Sequence, residues 1–514
     1  MAVELGASRL LAPYFSSSQI VWTIIISTIM IAMALGNIYG GRAADKNPDP
    51  DRLYVRLLIA SVWIALIPVV GKYVILLITG VLIVTISSNL LIIAGFVACM
   101  VIFVFPCFLL GTVTPSLTKF AINDLNDSGS TVGRLGAANT IGSIIGTFLP
   151  TFVTIPAVGT AVTFLIFSGI ILVLSLIYFI SAGTCKVKSG IAVGIFVVCC
   201  IFGHTSNFAF WTSDLAYEGE SIYNYLQVYE DEERVILSTN VLFGVQSVTI
   251  KDNSLTGMYY DYAMAAPVLA GYEDGEDADN SEKNMLILGN GTGTFARQCL
   301  NCFGEFDINA VEIDDKITDL AGEYFDMPES VKVTTYDGRA YLSADKGKYD
   351  VIMVDAYQDI TVPFQMSSIE FFTLVRDHLK KGGVMVVNMN MRGNTKNSIN
   401  DYLEDTICEV FDNVMTMDVS GSTNRELLAS DDSISPKILA SAAESISNDD
   451  LRSLMESAAA SAVVCERGEH ILTDDKSPVE LLSMKAIDGI IKSEIGYYKG
   501  VFKREGITGL LEEF

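Results

Sequence analysis

At 514 residues the chain has room for about three or four domains of roughly 150 residues each, and its charge is unevenly spread along it. Residues 1–204 carry ten Lys/Arg against six Asp/Glu, which leaves 24 basic and 54 acidic residues, a formal −30, for the remainder. So anionic a surface repels phosphate backbones and argues against nucleic acid as a partner, while its summed field draws small cations toward it.

Uninterrupted apolar stretches long enough to cross about 30 Å of hydrocarbon stand near 19–37, 54–71, 74–90, 92–113, 135–157, 160–181 and 190–204, which predicts about seven spans. Residues 1–18 hold Glu4 and Arg9, which suits neither a cleaved signal peptide nor a span. Arg42, Lys46, Arg52 and Arg56 surround the first loop, so that loop is expected in the cytoplasm. Seven spans then place the soluble remainder of this integral protein on the cytoplasmic side. Small residues recur in Gly36–Gly41 and Gly142–Gly146 at a spacing that lets helix backbones approach closely. No span holds a charge near its centre, so nothing marks an ion path.

Beyond Glu220 the period changes. Asn224–Val228, Arg234–Ser238 and Val245–Ile250 read as short strands of a small antiparallel sheet. After an acidic linker at 272–282, strands Asn284–Leu288, Ile308–Val311, Lys332–Thr335, Val351–Val354 and Val384–Asn388 alternate with helices, the pattern of a doubly wound parallel sheet. Val414–Val419 and Glu426–Ala429 are expected as an antiparallel edge, and 436–464 as helix. The expected domains are a multi-pass α-helical membrane domain at 1–204, a small β-sheet subdomain and linker at 205–280, a Rossmann-like α/β domain of the methyltransferase type at 281–435, and a mostly helical extension at 436–514. Nine cysteines lie scattered without disulfide or zinc spacing, so no metal site is expected.

The first strand of the doubly wound pattern runs into Gly289-Asn290-Gly291-Thr292-Gly293, where glycines allow a tight turn and let a ligand approach the backbone. Glu312 ends the second strand, where a carboxylate can accept both hydroxyls of a ribose. With Asp337-Gly338 after the third strand, the set reads as an adenosyl site. Asp355 and Asp359 follow the fourth strand, outside whose carboxyl end ligands of such sheets sit. Two carboxylates there suit a cationic acceptor, and their repulsion tends to raise one pKa toward that of a useful base. His378 and His470 adjoin no strand end and read as surface residues, while Asp474 and Asp475 read as caps of a helix begun near Pro478.

Taken in order, the strings Leu288-Gly289-Asn290-Gly291-Thr292-Gly293, Val311-Glu312-Ile313-Asp314, Asp337-Gly338-Arg339, Tyr349–Asp355, Glu370-Phe371-Phe372 and Thr473–Glu480 resemble the spermidine synthase (polyamine aminopropyltransferase) family. With the helices ahead of them they are similar to its membrane-fused bacterial members. The resemblance implies transfer of an aminopropyl group from decarboxylated S-adenosylmethionine to putrescine or a related amine, releasing methylthioadenosine. It implies further that Glu312 holds the ribose, Asp337 the adenine amine, and Asp355 or Asp359 the attacking amine. Gly289, Gly291, Thr292, Gly293 and Gly338 then line the donor site, and Asn224, Gln246, Tyr260, Asp261 and Tyr357 are the candidates on the amine side. The chain departs from the family at Thr292, where an acid anchors the donor's free amine, at Tyr260, where a histidine stands, and at Asn224, where a glutamine stands. Two other readings stay open, an S-adenosylmethionine-dependent methyltransferase and a catalytically inert adenosyl-ligand sensor, as does a homodimer.

Overall fold

A computed structural model describes residues 1–15, 18–85, 89–122, 128–205, 207–210, 212, 215–241, 245–275, 278–356, 362–390 and 396–512. The chain divides into two compact units, one comprising Met1–Ser213, Glu218–Leu226 and Asn240–Phe243, the other Asp214–Tyr217, Gln227–Thr239 and Gly244–Phe514.

The first unit is built of α1 (Ala2–Phe15), α2 (Gln19–Lys46), α3 (Pro50–Thr85), α4 (Leu90–Gly111), α5 (Val113–Ala121), α6 (Ser128–Leu149), α7 (Ile155–Ala182) and α8 (Lys186–Phe202). Among the described residues, four stretches are long and apolar enough to cross a membrane: Gln19–Lys46, Pro50–Ile83, Leu90–Ala121 and Ser128–Ala182. Outward-facing apolar side chains such as Ile180, 79% exposed, and Leu77, 70% exposed, belong against lipid rather than water. The apolar runs therefore do not form seven separate spans. Residues 54–71 and most of 74–90 share α3, which continues through Pro68 and Lys72, whereas 135–157 and 160–181 are parted at Gly159, whose φ of 77° and ψ of 173° are not helical. In apolar surroundings each backbone N–H and C=O has to be met within the helix, so a short polar interruption does not end it.

The helices meet at two ends. At one, Lys119 pairs with Asp45 at 3.0 Å, and the Tyr178 hydroxyl donates to Asp51 at 2.5 Å while its ring stacks on Tyr54 with centroids 3.9 Å apart. At the other, the Tyr14 hydroxyl donates to the Phe208 carbonyl at 2.9 Å, Lys72 Nζ to the Asn207 carbonyl at 2.7 Å, and Thr160 Oγ1 to Glu220 at 2.6 Å. Where α2 crosses α4, a Cβ added at Gly36 would collide with the Phe108 carbonyl oxygen, so the first small-residue cluster does bring backbones together. Gly142, in the second cluster, meets nothing within 4 Å.

Beyond α8, β1 (Leu215–Glu220), β2 (Tyr225–Glu230), β3 (Arg234–Ser238) and β4 (Ser247–Ile250) form a four-stranded sheet in sequence order, antiparallel from β2 to β4. Two short helices, α9 (Tyr259–Ala263) and α10 (Ala265–Leu269), lead into the alternating series. That series is β5 (Asn284–Leu288), α11 (Thr294–Phe303), β6 (Asp307–Glu312), α12 (Asp315–Tyr324), β7 (Lys332–Thr335), α13 (Gly338–Ala344), β8 (Tyr349–Val354), α14 (Ile369–Asp377) and β9 (Leu379–Met389). It continues with α15 (Ile399–Val410), β10 (Asn413–Asp418), β11 (Arg425–Ser430), α16 (Pro436–Ala443), α17 (Asp449–Ser461), β12 (Val463–Val464) and α18 (Val479–Glu512).

The eight strands from β5 onward form one sheet in the order β12-β10-β11-β9-β8-β5-β6-β7, parallel from β7 to β9 and antiparallel beyond. The buried strands read as near-continuous apolar runs because both faces are covered. Met285, Ile287, Met353, Val386 and Leu428 pack on one face, and Leu286, Leu288, Ile352, Val354 and Val387 on the other. The strand order reverses between β5 and β8, and a crevice forms outside the carboxyl ends of strands at such a point. β9 begins at Leu379, earlier than the expected Val384, and its pairing with β8 shifts register between Tyr349 and Val351. Gly382 and Gly383 thus lie inside an irregular strand.

Candidate active site

β5 delivers the chain into the glycine loop, and Gly289, Gly291 and Gly293 all take positive φ, of 91°, 54° and 82°. A Cβ at Gly289 would run into the carbonyl oxygen of Asp355, so the loop and the end of β8 are in direct contact. The N–H groups of Gly289 and Asn290 donate to the Val311 carbonyl at 2.9 and 3.1 Å, tying the loop to the end of β6. Glu312, buried at that end, accepts from Gly291 N–H at 2.8 Å and from Asp314 N–H at 3.1 Å. Burial pushes its carboxyl up to about 7, against the lowering effect of these two bonds. Each oxygen keeps further acceptor capacity, so the carboxylate fits the pair of ribose hydroxyls expected for an adenosyl ligand.

Thr292 is buried and set among neutral hydroxyls. Its Oγ1 lies 3.3 Å from that of Thr294, which in turn donates to the Val248 carbonyl at 2.9 Å. Asp337 caps α13, accepting from Ala340 N–H at 2.8 Å, and Gly338 is the first residue of that helix.

Asp355 stands one residue past β8 and is half-buried. The Tyr259 hydroxyl donates to its Oδ2 at 2.6 Å and Asn388 Nδ2 to its Oδ1 at 2.9 Å. Asn424 Nδ2 supports Asn388 by donating to its Oδ1 at 2.8 Å. Desolvation pushes the Asp355 carboxyl up to about 7, outweighing the two bonds that favour its charged form. The Tyr260 ring lies 3.9 Å from that of Tyr259, centroid to centroid, and its hydroxyl donates to the Gln246 carbonyl at 2.9 Å. Gly289, Glu312, Asp355, Tyr260 and Gln246 are thus gathered around the carboxyl ends of β5, β6 and β8.

Asp261 is occupied differently. It accepts from Thr256 N–H at 3.2 Å, from the Thr256 hydroxyl at 3.0 Å and from Gly257 N–H at 2.6 Å, so its carboxylate holds a loop. Asn224 belongs to the first unit, where its N–H donates to Ser221 Oγ at 2.9 Å. Tyr357 and Asp359 lie outside the described residues. The sequence reading passed over Tyr259 and Asn388. Each carried no more than a local hint, Tyr259 its place beside Tyr260 and Asp261, and Asn388 its place as a polar residue after an apolar run.

Asp474 is not a helix cap. Arg339 donates to it in two parallel bonds of 2.7 and 2.6 Å, Ser368 Oγ donates at 2.5 Å, and its own N–H donates to Glu370 at 3.0 Å. Three of the strings that carry the family resemblance therefore meet at one bracket. His378 faces the Leu374 and Asp345 carbonyls and His470 faces Asp405, away from Asp355 in each case.

A family model described as the spermine/spermidine synthase domain matches residues 274–420. Over 353 residues the chain is 53% identical to a probable polyamine aminopropyl transferase of Bifidobacterium longum, covering 65% of this chain and 77% of that protein. The chain belongs to the polyamine aminopropyltransferase family. A polyamine aminopropyltransferase of Vibrio vulnificus is 28% identical over 190 residues, 36% of this chain and 62% of its own length. Among solved structures, a probable spermidine synthase from Corynebacterium glutamicum aligns over 50% of this chain and 98% of its own, with 19% identity and a TM-score of 0.39. The matched family domain holds Gly289, Glu312, Asp337, Asp355 and Asn388, whereas Tyr259 and everything beyond residue 420 lie outside it.

Proposed function

We propose that this polyamine aminopropyltransferase homologue moves the aminopropyl group of decarboxylated S-adenosylmethionine onto putrescine or a related small amine, releasing methylthioadenosine. The observation that carries the reading is Asp355, a carboxyl pushed up to about 7, gripped by Tyr259 and Asn388, and in contact with the glycine loop. A sulfonium makes the neighbouring carbon electrophilic, so the protein has to align an amine with that carbon and take its proton. The Gly289–Gly293 loop and Glu312 hold the nucleoside, Glu312 accepting from the ribose hydroxyls and Asp337 from the adenine amine. The amine nitrogen bonds to the carbon as the carbon–sulfur bond breaks, sulfur departs as a neutral thioether, and the amine proton passes to Asp355. Asp359, Tyr357, Tyr260 and Gln246 complete the amine side, with no metal in the scheme.

One observation favours a second reading, methyl transfer from intact S-adenosylmethionine: Thr292 offers a neutral hydroxyl where the aminopropyl donor's free amine calls for an acid. Product analysis by mass spectrometry separates the two. Full-length protein in lipid nanodiscs, given each donor with putrescine, should make spermidine and methylthioadenosine from the decarboxylated donor. S-adenosylhomocysteine from the intact donor would overturn the assignment, and nucleoside binding without either product would favour a sensor.

The long apolar helices make this a membrane protein. For the side faced by the second unit, we infer the exterior rather than the cytoplasm expected from seven spans, because the cations of the first unit gather at the end away from Glu220.

A further inference from the structure

Glu426 lies on β11 with no exposed surface, and neither carboxyl oxygen has a hydrogen-bond partner among the described residues. A carboxyl so placed is costly unless something meets it. Its neighbours in the sheet show what could. Glu426 is paired directly with Asn388 on β9, and residues opposite one another share a face. Asn388 in turn donates to Asp355 at 2.9 Å. On its other side Glu426 pairs with Met417 of β10, which is fully buried, so that flank is apolar.

Along the edge of the sheet the strands β6, β5, β8, β9 and β11 therefore present Glu312, Gly289, Asp355, Asn388 and Glu426 in that order. The first two belong to the nucleoside. Asp355 is where the reacting amine is held, and the row continues away from the donor to Glu426, about 10 Å from Asp355 at two strand spacings. Burial, and after it the charge of Asp355, holds the Glu426 carboxyl well above its ordinary range. Glu426 is beyond the matched family domain, which ends at residue 420.

We propose that Glu426 is the second anchor of the amine substrate: it turns about its side-chain torsions to take the far ammonium of a diamine whose near nitrogen is held at Asp355. The pair of carboxyls then selects an acceptor with a cation at each end over a monoamine. This inference rests on the aminopropyl-transfer reading for its near end, and it adds to that reading the residue that holds the acceptor's far end.

The test uses the full chain in nanodiscs and compares putrescine with n-butylamine, which has the same carbon chain and one nitrogen fewer. In Glu426→Gln the ratio of kcat/KM for the diamine to that for the monoamine should fall about 10- to 100-fold, the scale of one lost hydrogen bond to a charged group. Glu426→Leu, which places an apolar side chain beside Met417, should lower the ratio equally and guards against a folding defect of the first variant. Calorimetry of putrescine binding in the presence of methylthioadenosine reads the same contact without turnover, and there too Glu426→Gln should weaken binding by about 10-fold or more. An unchanged ratio, or an equal loss for both amines, overturns the proposal while leaving the transferase reading intact. Putrescine binding that depends on Glu426 in a chain that transfers nothing would support the anchor and refute the transferase reading. Absence of putrescine binding to the nucleoside complex overturns the anchor.

Discussion

At Asp355 burial and hydrogen bonding pull in opposite directions. Desolvation raises the carboxyl while Tyr259 and Asn388 lower it, and desolvation wins, leaving the group near 7 against an ordinary 3.8. The folded protein thus binds this proton more tightly than the unfolded chain does. The stability so gained is full below pH 3.8 and is lost as pH rises through about 7. Asp355→Asn removes the loss, so its melting temperature should exceed that of the native protein near pH 8 and not near pH 4, in parallel thermal melts. The same substitution should slow turnover by about 10²- to 10⁴-fold, the range of general-base help, with nucleoside affinity nearly kept. If methylthioadenosine binding disappears with the carboxylate, Asp355 belongs to the donor site and the base has to be sought elsewhere. Asp355, Glu312 and the glycines were legible in the sequence because each is fixed by the end of its own strand. Asn388 was not, because its value depends on β8 and β9 being neighbours. Nor was Tyr259, which differs from Tyr260 only once α9 turns one hydroxyl to Asp355 and the other to Gln246. Asp261 misled in the opposite sense, since nothing in its string announces that Thr256 and Gly257 will claim it.

Among the elements, α13, α14 and the segment leading to α18 are fastened by one residue, Asp474. Its bonds to Arg339 and Ser368 explain why strings far apart in sequence travel together, although no single string states the reason. The Asp474 side chain is 39% exposed and the Arg339 side chain 23%, so solvent screens part of the attraction. Asp474→Ala should therefore cost only about 1 kcal/mol and lower the first melting transition by about 2–4 °C. Arg339 holds the Asp474 carboxyl below its ordinary value of 3.8, so the contribution is present above that pH and fades as pH falls through the folded value. The gap between variant and native melts should accordingly close in acid, and a gap that persists there would assign the loss to packing. The strands from β5 to β8 could be placed from sequence because each is an apolar run followed by glycine or an acid. The helices of the first unit could not be counted, since an apolar run carries no signal for where one helix stops when Pro68 and Lys72 are absorbed without a break.

Over the whole molecule, the pairing of helix ends in the first unit is the ground for the sidedness proposed above. An odd count of seven spans returns the chain to the side of the basic first loop. In the structure α7 runs from Thr160, bonded to Glu220, to Tyr178, bonded to Asp51, and α8 then runs back from Cys185, packed near Leu58 and Phe179, to the level of Pro68 and Val69. Between Asp51 and Lys72 α3 rises about 30 Å, the thickness of the hydrocarbon layer. Arg42, Lys46, Arg52, Arg56, Lys119, Lys186 and Lys188 lie toward the Asp51 end, and Arg9 and Lys72 toward the Glu220 end. Lysine and arginine near helix ends set orientation while acids count for little, so the formal −30 beyond residue 204 does not offset this bias. This cation bias is what supports the proposed orientation, with the Asp51 end toward the cytoplasm and the Glu220 end toward the outer face. No later described helix is apolar enough to cross back. Alkaline phosphatase fused after Phe514 should be active and a green fluorescent fusion at the same point dark, with the converse for fusions after Asn47. The consequence is chemical as well as spatial: an outward-facing site takes its cationic acceptor from outside the cell and needs an adenosyl donor delivered there. A fluorescent, phosphatase-inactive fusion after Phe514 would return the site to the cytosolic donor pool and show that the cation bias of the helix ends does not set the orientation of this chain.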